Sequence, residues 1–167
     1  MRAQMTTPGT EDLRRRLVNL RFPATADAVR DTLLTVDTTL AESGAAKDLR
    51  TRTQIALAEA CNNIVEHAYA PPCDVADPVI VLDIAGDRGG LQITLRDRGR
   101  AMPDGPLPSN DLPPLDPDDL NGLPEGGFGW ALLREMTRAL SISRRNGQNI
   151  LRFRLPHEDR PAHLDRH

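Results

Sequence analysis

The chain has 167 residues, 39% hydrophobic and 27% charged, with a formal net charge of −3; this describes an ordinary globular protein, long enough for one domain and too short for two comfortable ones. Both signs of charge are spread along the chain without a basic patch, so direct nucleic-acid binding is not expected, and no apolar run approaches the roughly 20 residues that span a bilayer. The opening MRAQMTTPGTEDLRRR has no hydrophobic segment of the secretory kind, which makes a cytoplasmic location and no membrane attachment the default expectation.

In chain order, residues 1–14 read as a flexible N-terminus, with Arg14–Arg16 a solvated strand entry. Residues 17–22, LVNLRF, have strand character and end at Pro23. Thr25 is a candidate N-cap for a helix to about Glu42, with Val29, Leu33, Leu34, Val36 and Leu40 near helical spacing and Ser43-Gly44 closing it. A longer helix is expected from about Lys47 to Tyr69, stopped by Pro71-Pro72. The period then changes. Val79–Ala85 and Leu91–Arg96 are short β-rich runs around the turn Gly86-Asp87-Arg88-Gly89-Gly90. Between Gly99 and Gly127 there are seven prolines and no regular periodicity, as in a functional lid or an unstructured segment. Trp130–Leu140 returns to helix, Leu140–Arg144 and Asn149–Leu155 form a hairpin around Asn146-Gly147, and residues 157–167 read as a flexible tail. Neighbouring strands pairing as hairpins, with helices gathered on one face, predict an α+β two-layer sandwich with a mixed, mainly antiparallel sheet. The two cysteines, Cys61 and Cys73, match no common zinc spacing and read as free thiols.

Three segments could carry chemistry. In ALAEACNNIVEHAYA, Glu59, Asn63 and His67 are spaced i, i+4, i+8, a stripe on one helix face drifting about 40° per step. By itself such a stripe is most simply a water-facing surface. In LQITLRDRG a hydrophobic strand delivers Asp97, which can accept from an exocyclic amine, and Gly99, beside which a ring could approach the backbone; an ordinary Asp-x-Gly turn has the same look. In EGGFGWALL, Gly126, Gly127 and Gly129 precede a helix whose leading N–H groups suit an anion, although a plain hinge would also use glycines. A dinucleotide fingerprint fails there for want of a βαβ unit, and a Walker loop for want of Gly-Lys-Ser or Gly-Lys-Thr.

The order Glu-x-x-x-Asn-x-x-x-His-Ala-Tyr, then strand and Asp-x-Gly, then a long loop and Gly-Gly-x-Gly before a helix, resembles the GHKL ATPase superfamily with its Bergerat fold. Glu59-Ala60-x-x-Asn63-x-x-x-His67-Ala68-Tyr69 is most similar to the anti-sigma factor serine/threonine kinases of bacterial partner-switching systems. The resemblance covers residues 15–156, with a lid at about 99–127. It implies ATP and Mg²⁺ as cofactors, Asn63 as the Mg²⁺ ligand and Glu59 as the general base. Asp97 would hold the adenine amine and Gly99 would pack under the ring, with Arg100 and Ala101 following. Gly126, Gly127, Phe128 and Gly129 would line the triphosphate, and His67 would serve either in support or in direct contact. The implied partners are a STAS-type anti-anti-sigma protein as phosphoacceptor and a sigma factor, with the kinase a homodimer. Ala101 stands where the superfamily commonly has a further glycine, Trp130 where a smaller aliphatic residue is usual, and the lid has no basic residue after Arg100. A non-catalytic, nucleotide-bound switch module and the ATPase half of a histidine kinase are the alternatives. The second is disfavoured because no phosphoacceptor hairpin precedes residue 15.

Overall fold

The structure, a computed structural model, describes residues 14–101 and 128–157. In chain order these form β1 (Arg15–Pro23), α1 (Ala26–Glu42), α2 (Lys47–Asn63), a π-helical turn (Ile64–Ala68), β2 (Val79–Asp87), β3 (Gly90–Asp97), α3 (Phe128–Met136), β4 (Arg138–Arg145) and β5 (Gln148–Pro156). The predicted termini at 1–14 and 157–167, and most of the lid, lie largely outside the described residues.

The five strands form one sheet in the order β1-β2-β3-β5-β4. Each pairing among the described residues is antiparallel, in line with the mainly antiparallel sheet expected and without a parallel pair. The reason β5 rather than β4 lies beside β3 is burial. Leu151, Phe153 and Leu155 on β5 alternate into the core, whereas β4, RALSISRR, offers Leu140 and Ile142, only partly buried, and is exposed along most of its length. A strand of arginines and serines suits an edge, where charge discourages pairing with another chain. The β4–β5 turn takes the expected Asn146-Gly147, both at positive φ (50° and 73°), as a two-residue primed turn requires.

The same inward phase of the other strands faces the helices. Val18, Phe22, Ile80, Leu82, Ile84, Ile93 and Leu95 meet Val29, Val36, Leu40, Leu49 and Leu57 in one core. Thr25 caps α1 by accepting the Ala28 N–H at 3.3 Å. Leu34, expected on the buried face of α1, is 65% exposed, and Thr32 takes a buried position instead.

Two helix ends differ from expectation. The long helix is α-helical only to Asn63; from Ile64 it widens, and Tyr69 N–H reaches back five residues to the Ile64 carbonyl at 3.3 Å. The last helix stops at Met136 rather than Leu140. Thr137 is buried and donates its hydroxyl to the Leu133 carbonyl, and Ala139 follows at φ 51°, a conformation no right-handed helix accommodates.

Candidate functional site

Burial of Ala56, Leu57, Ala60 and Cys61 turns one face of α2 to the core and leaves Glu59 and Asn63 half-buried on an adjoining face. Gly129, in the first turn of α3, lies over that pair. A Cβ at Gly129 would overlap Glu59 Oε2 and sit 3.6 Å from Asn63 Nδ2, so glycine leaves the Glu59 side chain its place beside Asn63. The leading N–H groups of α3 have no intrahelical partners, and they open beside a carboxylate and an amide. Asn63 Nδ2 is buried and has no hydrogen-bond partner among the described residues. A buried donor left in that state costs about 1–3 kcal/mol, and such an atom in a cleft points to a missing ligand group.

The second region is built on the end of β3. Asp97 points inward and is only 5% exposed. Its Oδ1 accepts two hydrogen bonds, from Gly99 N–H at 2.9 Å and from Asn149 Nδ2 at 2.8 Å. Burial pushes the Asp97 carboxyl above the ordinary carboxylate range, against the opposing pull of those two donors and of the Arg144 charge.

The two regions are stitched together at the π-helical turn. Arg100 N–H donates to the Ala68 carbonyl at 2.8 Å, and Gly99 is pressed so closely on Ala68 that a Cβ would come within 2.7 Å of its carbonyl carbon. Tyr69 adds a second tie, its hydroxyl donating to the Val79 carbonyl at 2.8 Å and accepting from Arg98 N–H at 2.9 Å.

Of the residues singled out in sequence, the structure gathers Glu59, Asn63 and Gly129 in one place and Asp97, Gly99 and Arg100 in another. His67 does not stay in the stripe. Widening of the helix after Asn63 leaves it exposed while Ile64 and Ala68 turn inward. The Arg100 guanidinium is occupied with the Ala70 carbonyl at 2.5 Å, and Ala101 is exposed at the edge of the described chain. Phe128 begins α3; Gly126 and Gly127 fall outside the described residues. Trp130, which stands where a smaller aliphatic residue is usual, is buried in the core.

Sequence reading missed Asn149 and Arg144. Asn149, 6% exposed, also donates to the Arg100 carbonyl at 2.8 Å, and Arg144 donates to Asn149 Oδ1 at 2.5 Å and to the Gly99 carbonyl at 3.1 Å. The available signal was a polar residue at an inward position of a strand whose other inward residues are Leu151, Phe153 and Leu155. Cys61 is not part of any site: burial pushes its thiol up to about 12, which makes it inert. Among the described residues no helix is long and apolar enough to cross a membrane.

Comparison with known proteins agrees with this architecture. Residues 22–155 match the family described as histidine kinase-like ATPase domain. The chain is 32% identical over 138 residues to the serine-protein kinase RsbW of Bacillus mycoides, covering 80% of this chain and 81% of that one. It is 27% identical over 133 residues to the RsbW of Staphylococcus epidermidis, with 80% and 82% covered. Among solved structures, the RsbU and RsbW domains of Rv1364c from Mycobacterium tuberculosis share its fold, with a TM-score of 0.52 at 22% identity over 84% of this chain. The chain spans 33% of that longer, two-domain chain. With the site lying where its helix and strand ends converge, the chain belongs to the histidine kinase-like ATPase family, in the branch of the RsbW serine-protein kinases.

Proposed function

We propose that this chain is an ATP-dependent serine/threonine protein kinase that phosphorylates a STAS-type anti-anti-sigma protein and sequesters a sigma factor, acting as a cytoplasmic homodimer. The observation that carries the catalytic part is the buried amide nitrogen of Asn63, without a partner among the described residues, beside Glu59 and beneath Gly129.

In this reading the triphosphate lies along the first turn of α3, against N–H groups that no helix carbonyl satisfies. The donor set at the Asn63 end fits Mg²⁺, because that ion takes few ligands from protein and fills the rest of its shell with water and phosphate oxygens. Asn63 would hold it through the carboxamide oxygen, which a half-turn of the amide exchanges with the nitrogen. When bound, the ion neutralises phosphate charge. Glu59, one helical turn before Asn63, accepts the proton of the partner's hydroxyl as that oxygen bonds to the γ-phosphorus and the bond to the β–γ bridging oxygen breaks, releasing ADP. Asp97 accepts the adenine amine, and Gly99 leaves room for the ring. The Arg100 side chain is held on the Ala70 carbonyl and Arg98, two residues before it, is exposed; either would supply a cation for phosphate or partner.

The test is incubation of the purified chain with ATP, Mg²⁺ and its cognate partner. Transfer of phosphate to a serine or threonine of the partner is the expected result. ATP binding without transfer would overturn the kinase assignment in favour of a nucleotide-occupied binding module.

A further inference from the structure

The pair Arg144 and Asn149 has no counterpart in the roles assigned above, and its geometry is unusually determinate. Arg144 lies on edge strand β4, directly opposite Asn149 on β5. Asn149 Nδ2 faces two acceptors, Asp97 Oδ1 and the Arg100 carbonyl, both at 2.8 Å. Its Oδ1 faces a cation, Arg144 Nη1, at 2.5 Å. Turning this amide over would set its oxygen against a carboxylate and a carbonyl and its nitrogen against a guanidinium. Every contact would then become repulsive, so Arg144 on one side and the two acceptors on the other fix which way Asn149 points.

The consequence reaches Asp97. With Gly99 N–H and Asn149 both donating to Oδ1, one carboxylate oxygen is saturated. Oδ2 accepts no hydrogen bond among the described residues, and remains available. Arg144 also binds the Gly99 carbonyl at 3.1 Å, which holds the loop next to Asp97 by a second point. One guanidinium therefore braces both the acceptor and the backbone beside it, as a planar fork with several donors can.

We propose that Arg144, acting through Asn149, is a positioning residue that presents Asp97 as a fixed acceptor and so sets a preference for purine nucleotides carrying a 6-amino group over those lacking it. The proposal rests on the nucleotide-binding reading above. A 6-oxo group would bring an acceptor against an acceptor, and a purine with hydrogen at position 6 would leave Oδ2 without a partner.

Direct binding of three probes separates the possibilities: ATP, inosine triphosphate, and purine riboside triphosphate, which has hydrogen at position 6. Each is measured with wild type, Arg144→Ala, Arg144→Lys and Asn149→Ala, alongside their thermal unfolding. Wild type is expected to prefer ATP over purine riboside triphosphate by about 10–100-fold, the range for a hydrogen bond to a charged group. Arg144→Ala should lower ATP affinity by roughly 3–10-fold and leave purine riboside triphosphate nearly unaffected, so that the preference narrows. Arg144→Lys should recover part of it, and Asn149→Ala should narrow it further. Equal loss for all three nucleotides would make the pair merely structural and overturn the inference, as would an unchanged preference in Arg144→Ala. Should Asn149→Ala fail to fold, the exposed Arg144 variants decide the question alone. Wild type that binds none of the three would instead sink the nucleotide reading itself.

Discussion

The two ends of the candidate site are built on opposite principles. Around Asp97 the acceptors and donors are tied to one another: Gly99, Asn149, Arg100 and Arg144 close a network around one carboxylate. Around Asn63 the reverse holds, for among the described residues a buried amide nitrogen has no partner and a half-buried carboxylate sits beneath a glycine. The satisfied end is preorganised, so a ligand group arriving there finds its acceptor already oriented. The unsatisfied end carries a desolvation cost that a ligand group can relieve. A site that recognises its nucleotide with the first end and works on it with the second would divide its groups in this way.

The contrast can be broken most directly at Glu59. In the proposed mechanism Glu59→Gln suppresses phosphate transfer by about 10²–10⁴-fold, the usual worth of a general base, while ATP affinity measured by calorimetry stays near wild type. Equal transfer rates would reduce Glu59 to a structural role. Next in size is Asn63→Ala, expected to lower Mg²⁺-dependent ATP affinity on the order of 10²-fold. Because the amide nitrogen it removes has no partner among the described residues, thermal unfolding of the nucleotide-free protein should shift little; a large drop in melting temperature would show that Asn63 has a structural partner after all.

Asp97→Asn probes the other end. ATP affinity should fall by about 10–100-fold, since an amide is a weaker acceptor than a carboxylate for an amine. Its effect on the empty protein has a definite sign. The Asp97 carboxyl is raised above its ordinary 3.8 by burial, so its contribution to stability is complete below the unfolded-state value and is lost as pH rises through the folded-state one. The empty Asp97→Asn protein should therefore lose less stability than wild type between acid and neutral pH, as denaturant midpoints at several pH values would reveal. A variant that loses more on that rise would contradict the assigned cause of the shift.

The smallest effects compare the two glycines. Gly99→Ala would drive a Cβ into the Ala68 backbone, which has no freedom to move aside, and should cost about 1–3 kcal/mol, or roughly 2–4 °C of melting temperature per kcal/mol. At Gly129 the obstacle is the end of the Glu59 side chain, which can swing away. Gly129→Ala should therefore spare melting temperature by comparison and act on phosphate transfer instead, by displacing Glu59. Reversal of that order would erase the distinction between a rigid end and an adjustable one.

How much of this was legible beforehand differs from element to element. The period-2 runs of β2 and β5 and the Asn146-Gly147 turn announced strands because alternation and turn chemistry are local properties. Asn63 and Glu59 stood out for the same reason: four-residue spacing places them on one helix face wherever that helix lies. His67 obeyed the same rule on paper and failed it in space. The helix widens after Asn63 as Ile64 and Ala68 turn to the core and Gly99 packs on Ala68, and nothing in a repeat of four announces a five-residue hydrogen bond. The last helix was read four residues too long because Leu140 continued an apolar spacing, whereas the positive φ at Ala139 ends it.

By itself, then, the amino-acid order determined what depends on neighbours along the chain: the helices and strands, the turns, the helical pairing of Glu59 with Asn63, and the motif order that marks the family. Tertiary structure alone decided what depends on neighbours across it. It placed β5 between β3 and β4, because the apolar face of β5 (Leu151, Phe153, Leu155) is the larger and is buried, whereas Leu140 and Ile142 of β4 are only partly so. It set Gly129 over Glu59, and it brought Asn149 and Arg144 to Asp97 from 52 residues away along the chain in the case of Asn149. A hydrogen bond across that separation leaves no periodic trace in sequence, since its partners share a register in the sheet rather than a spacing in the chain.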